Sequence, residues 1–177
     1  YSFKQLRKQI GIVPQQSILF KGTIRDNMKW ENPDLSDEDI ITALKNAQAY
    51  EFVSKLPMGL DSHVEQGGKN FSGGQRQRLC IARAIAAQPK VLILDDSFSA
   101  LDFATDAALR KALSQYTHEM TVIIVTQRCS TIMNSDLILV LDDGMLVGKG
   151  THKELLKNCE TYKEICLSQL SKSEVEV

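Results

Sequence analysis

The sequence predicts an α/β fold, a parallel sheet with a helical lobe, on three observations. First, the apolar runs at 90–94, 121–125 and 136–141 are strand-sized and are separated by helical stretches at 103–116 and near Ser130. Strands alternating with helices need crossovers, and crossovers give parallel pairing. Second, the stretch 16–88 has helical punctuation. Ser36 and Asp39 are spaced as a cap for a helix over 37–47 that puts Ile40, Ile41, Leu44 and Ala47 on one face, and 49–56 reads as another helix. Third, the character changes sharply at Pro89. Residues 1–15 and 89–177 are therefore assigned to the sheet-bearing core and 16–88 to the lobe.

The remaining elements follow in order. A strand is expected over 7–13, stopped by Pro14, with a polar loop after it. Pro57 and the glycine-bearing stretch 58–70 form a connection. Ser72 and Gln75 make a capping box for a helix over 76–87, with Gly73 and Gly74 at its mouth. Unpaired amides and the positive end of the helix dipole favour an anion there, and glycines let it approach closely. Asp142, Asp143 and Gly144 turn the chain into a hairpin with 145–147, and Thr151 with Glu154 caps a helix running toward Leu156. Residues 171–177 read as a loose tail.

Composition bounds the function. The 177 residues are 43% hydrophobic, with 21 basic and 22 acidic residues and a net charge of −1, which disfavours a general nucleic-acid binder. The apolar runs are too short to span a bilayer. Cys80, Cys129, Cys159 and Cys166 lack metal-ligand spacing and fit a reducing setting. His63, His118 and His152 carry no ligand spacing either and read as surface or turn residues; Trp30 is expected to pack on the lobe.

The run 91–94 delivers Asp95 and Asp96 at the carboxyl end of a strand, where ligand sites sit in open α/β sheets. Successive side chains point opposite ways, so one carboxylate suits hydrated Mg²⁺ and the other an attacking water. The same pair also fits an ordinary strand-end turn with aspartates as caps.

FSGGQRQRLCIARA, then VLILDD, SALD and VTQR, in this order and spacing, resemble the nucleotide-binding domain of an ABC transporter. The likeness runs from LRKQIGIVPQQSILF to GTHKEL, nearly the whole chain. It implies a P-loop NTPase (RecA-like) core with an inserted ABC α-helical subdomain, and the cofactors ATP and Mg²⁺. It implies that Gln15 is the Q-loop glutamine near Mg²⁺ and the attacking water. Ser72, Gly73, Gly74 and Gln75 become the signature that grips the γ-phosphate of a partner domain's ATP. Asp95 becomes the Walker B ligand of Mg²⁺ through water, and Ser99, Ala100, Leu101 and Asp102 the D-loop. Residues 17–20 and 23–27 look like the export branch that meets a membrane domain. So does the loop at Glu65, Gln66, Gly67 and Gly68, although Gln66 stands where a glutamate is usual.

Two positions depart from the family's active pattern. Asp96 stands at the catalytic glutamate, one methylene shorter, a retraction of about 1 Å that can cost ~10²-fold. Gln127 stands at the switch histidine and can donate a hydrogen bond but not ionise. Together they resemble the degenerate half of a heterodimeric exporter. No GxxxxGK[ST] loop is present, so the chain is expected to begin after that loop, incomplete at the N-terminus, and alone neither to bind ATP tightly nor to hydrolyse it. The expected partners are a second nucleotide-binding domain and an upstream transmembrane domain, at the cytoplasmic face of the membrane, with no nucleic acid. The rival readings are a soluble ABC-type ATPase acting on nucleic acid or the ribosome, and a non-catalytic interaction module.

Overall fold

Residues 3–7 form a helix, α1 (Phe3–Arg7), although 7–13 reads as strand. The cause is local: Ser2 Oγ accepts from Gln5 N at 3.2 Å and Gln5 Oε1 accepts from Ser2 N at 2.9 Å, a capping box that carries the helix through Arg7. Strand β1 is confined to Ile10–Val13. The computed structural model describes residues 1–117 and 120–170; the tail over 171–177 and His118 lie outside them. The chain divides into two units, Tyr1–Val125 and Thr126–Val177, each described by itself.

In the first unit, the expected polar loop after Pro14 contains a strand and a helix. β2 (Gly22–Thr23) pairs antiparallel with β3 (His63–Val64), and between them in sequence lies α2 (Ile24–Met28), capped by Thr23 and Asp26. One turn of helix is too short to leave a periodic signal. Next come α3 (Asp37–Asn46), opened by the Ser36–Asp39 box, and α4 (Tyr50–Ser54). Arg25 of α2 pairs at the surface with the start of α3 and with the stretch before β3, its Nε on Asp61 at 2.8 Å and its Nη1 on Asp37. Helix α5 (Gly73–Ala86) starts at the Ser72–Gln75 box and buries Leu79, Ile81 and Ile85 completely. Each such side chain contributes about 1.5–3 kcal/mol. Strand β4 (Val91–Asp95), helix α6 (Phe103–Tyr116) and strand β5 (Thr121–Val125) follow.

The sheet order is β1–β4–β5, all parallel, with Val13 opposite Leu94 and Asp95 opposite Val125. The carboxyl ends of the three strands therefore share one edge. One core joins sheet and helices: Val13, Leu92 and Leu94 from strands cluster with Leu44, Ile81, Ile85 and Leu109 from helices.

The second unit holds α7 (Cys129–Ile132), β6 (Ile138–Asp142), β7 (Met145–Gly150), α8 (His152–Asn158) and α9 (Glu160–Gln169). The strand expected to alternate into the parallel sheet is β6, and it forms an antiparallel hairpin with β7. Asp143 and Gly144 turn it with φ 45° and 75°, the paired positive φ of a tight hairpin. Helix α9, absent from the sequence-based expectations, places Tyr162 and Cys166 in a core with Cys129, Ile138, Val140, Leu155 and Cys159. His152 corrects its surface assignment: it is 5% exposed, with Nδ1 2.8 Å from the Tyr162 hydroxyl. No helix among the described residues is long and apolar enough to cross a membrane.

Candidate functional site

Helix α5 begins as its sequence demands. Ser72 Oγ accepts from Gln75 N at 3.2 Å, and Gln75 Oε1 accepts from Ser72 N at 2.9 Å. The amides of Gly73 and Gly74 lie in the first turn and have no intrahelical acceptor. The two glycines differ in surroundings. A Cβ on Gly73 would meet only Ala100 Cβ, at 3.7 Å, so this face is open. A Cβ on Gly74 would lie 3.3 Å from Ala100 O and 3.5 Å from Leu101 Cδ2, so the helix mouth rests directly on the loop after β4.

That loop carries the carboxylates. Asp95 ends β4, and its exposed carboxylate makes no hydrogen bond or ion pair among the described residues. Asp96 has φ 45°, the left-handed region, which Asp tolerates better than most side chains. Several bonds hold it there. Its N–H donates to Val125 O at 2.8 Å, and its carbonyl accepts from Ser99 N at 3.3 Å and Ser99 Oγ at 2.9 Å. Ser97, fully buried, donates to Val13 O at 3.0 Å and Asp95 O at 3.3 Å, binding the end of β1 to the end of β4. Gln15 occupies the exposed bend just after β1 and so stands at the same sheet edge as Asp95.

Asp102 accepts from Thr105 N at 3.0 Å and Thr105 Oγ1 at 2.7 Å, capping α6. Those two hydrogen bonds hold its carboxyl below the usual carboxylate range. Its oxygens are thus committed to helix structure, a role the motif spacing does not reveal. The two export-like segments also meet. Gly67 N donates to Leu19 O at 3.0 Å, and a Cβ on Gly68, at φ 69°, would sit 3.0 Å from Leu19 Cδ1. Trp30 stacks on Phe20 with ring centroids 4.1 Å apart but stays 61% exposed, so its packing partner is that loop.

Several working residues carry no motif. Gln77 is 1% exposed; its Oε1 accepts from Ala100 N at 3.1 Å and its Nε2 donates to Asp96 O at 3.4 Å, bracing α5 against the carboxylate loop. Arg78 donates from Nη1 to Gln48 O at 2.6 Å and from Nε to Gly74 O at 3.3 Å, with its guanidinium over Phe52. Asn27, 1% exposed, bonds Phe20 N, Phe20 O and Thr23 O, each at 2.9 Å, and so fixes the segment after Gln15. A buried polar residue inside a helical apolar pattern is the signal that could have found Gln77.

Gln127 belongs to the second unit. Its side chain is exposed and without a hydrogen bond among the described residues, while its carbonyl accepts from Gln169 Nε2 at 2.7 Å. The first unit thus brings together Ser72, Gly73, Gly74, Gln75, Asp96 and Asp102 on one side of α5, and Gln15 with Asp95 at the sheet edge.

The ABC transporter family profile matches residues 1–99, more than half of the chain. YfiB of Bacillus subtilis, described as an ABC transporter ATP-binding protein, is 48% identical over 167 residues, covering 94% of this chain and 29% of YfiB. A Staphylococcus aureus protein whose name includes multidrug export ATP-binding/permease protein is 41% identical over 160 residues, 90% of this chain and 28% of its own. A solved bacterial Atm1-family ABC exporter with ATP bound superposes with TM-score 0.88 at 37% identity, over 92% of this chain and 29% of that one. The chain belongs to the ABC transporter family and is an ATP-binding domain of the exporter kind. It spans less than a third of the length of these relatives.

Proposed function

We propose that this chain works as half of an ATP-driven exporter engine: it presents Ser72, Gly73, Gly74 and Gln75 to ATP held by a second such domain and keeps a weakened site of its own. Residues 16–88 form the helical subdomain of the domain, and 1–15 with 89–177 the RecA-like core. The observation that carries the reading is the mouth of α5. Two glycine amides without intrahelical acceptors lie at a dipole's positive end, beside an open face at Gly73. That arrangement suits an anion arriving from outside the chain.

The chain's own site pairs Asp95 with Gln15 for Mg²⁺. An exposed carboxylate without a hydrogen bond or ion pair among the described residues and one neutral oxygen fit an ion that keeps most of its waters and binds phosphate oxygens. Mg²⁺, when bound, supplies charge neutralisation at the phosphates. Asp96 holds its shorter carboxylate toward the attacking water, and Gln127 offers an amide to the γ-phosphate. Both are weaker than the glutamate and histidine of an active site, so this half binds ATP and turns it over slowly. The second domain is of a different kind, giving a heterodimer, and a transmembrane domain meets the surface built from 15–27 and 65–68. The assembly sits at the cytoplasmic face of a membrane, and ATP-driven closure shifts the transport equilibrium.

The test is Gly73→Asp in the assembled transporter. The position is open and an acid at a helix start is favourable, so thermal stability should hold. ATPase activity should fall by about 10²-fold or more, because a carboxylate then occupies the phosphate's place. Unchanged activity rejects the reading.

A further inference from the structure

We propose that Gln169 is a positioning residue for Gln127: it fixes the backbone of that residue so that its free amide meets the terminal phosphate of a nucleoside triphosphate. The proposal rests on the reading of Gln127 given above. Gln169 is the last residue of α9, and its single planar amide grips two backbone groups. Nε2 donates to Gln127 O at 2.7 Å, and Oε1 accepts from Cys129 N at 3.0 Å. Helix α7 has no side-chain cap from its own N-cap residue, so the Cys129 amide depends on this partner from α9. A second anchor lies one turn earlier on the same face of α9, where Cys166 Sγ stands 2.7 Å from Cys129 Sγ, both buried. A third is Thr126 Oγ1, which accepts from Arg128 N at 3.0 Å.

The segment around Gln127 is thus held from both ends while the Gln127 side chain stays exposed and unbonded among the described residues. A fixed backbone carrying a free donor is preorganised: the ordering that would otherwise accompany phosphate binding is already done. Without Gln169, the Gln127 carbonyl and the Cys129 amide turn to water, while the thiol packing and the Thr126 bond remain.

The test uses the assembled transporter that carries this chain and follows release of 8-azido-ATP and 8-azido-ADP from the polypeptide containing it, by photolabelling after a chase. Gln127→Ala should speed ATP release about tenfold, the loss of one hydrogen bond to a charged group, and leave ADP release unchanged. Gln169→Leu should speed ATP release about fivefold to tenfold, again sparing ADP. Gln169→Glu, which keeps the acceptor for Cys129 but faces the Gln127 carbonyl with an anion, should do the same. The double variant Gln127→Ala with Gln169→Leu should be no faster than Gln127→Ala alone, because the two act through one contact. Ser168→Ala, on the exposed side of α9, should change neither rate. The proposal is overturned if Gln169→Leu leaves ATP release unchanged, speeds ATP and ADP alike, or adds fully to Gln127→Ala. A silent Gln127→Ala overturns the reading of Gln127 itself, and the proposal with it.

Discussion

Replacing Gln77 by leucine tests how the carboxylate loop is held. The side chain is 1% exposed and close to leucine in volume, so the core should accept the change without a cavity. Two hydrogen bonds disappear, from Ala100 N at 3.1 Å and to Asp96 O at 3.4 Å. Each is worth about 0.5–1.5 kcal/mol net, the longer one at the low end, for a total of roughly 1–2 kcal/mol. The loss does not spread evenly. Asp96 O keeps both bonds from Ser99, at 3.3 and 2.9 Å, whereas Gln77 Oε1 is the acceptor for Ala100 N–H. Amide hydrogen exchange at Ala100 should therefore accelerate about tenfold, the counterpart of ~1.4 kcal/mol, while amides around Leu79 and Ile81 change only with global stability. Urea unfolding measured alongside separates the local effect from the global one. An Ala100 amide that exchanges no faster would refute the brace between α5 and the loop.

Three further outcomes are expected. Asn27→Leu removes the partners of Phe20 N, Phe20 O and Thr23 O from a buried site, so the urea midpoint should fall by an amount equal to about 2–3 kcal/mol with the slope unchanged; a loss below about 0.5 kcal/mol contradicts the role given to Asn27. Burial, then the neighbouring Cys166, push the Cys129 thiol from its ordinary 9.0 up to about 12. Folding favours the neutral thiol, so its contribution is full below pH 9.0 and is lost as pH rises toward about 12; iodoacetamide at pH 8 should leave Cys129 unmodified until the chain unfolds, as mass spectrometry of the labelled peptide would show. Asp96→Glu with Gln127→His should raise hydrolysis of the ATP on this chain's side about tenfold or more, read as the ADP fraction on the photolabelled polypeptide, and no increase speaks against a weakened site.

What the sequence made legible is what depends on near neighbours. The box at Ser72 and Gln75 and the strand ending in Asp95 are written within a few residues, and the structure builds α5 and β4 there. Helix α1 rests on an equally local box, Ser2 with Gln5, absent from the sequence-based expectations, and the strand expected over 7–13 is shortened to Ile10–Val13. Residues whose purpose lies in distant partners stayed hidden. Ser97 bonds the carbonyl of Val13, 84 positions away, and Gln169 reaches back 42 positions to Gln127. His152 looks like a turn residue until α9 brings Tyr162 against it. The candidate site was readable through its motifs, while the side chains that brace those motifs became visible only with the tertiary contacts.

The central claim is that the mouth of α5 acts on ATP held by another domain. The most direct measurement resolves hydrolysis by site in the assembled transporter carrying Gly73→Asp, using photolabelled nucleotide on each polypeptide. The account predicts that ATP on the partner domain persists unhydrolysed while nucleotide turnover on this chain's side is unchanged. Loss of turnover on this chain's side, with the partner's ATP still hydrolysed, would contradict it.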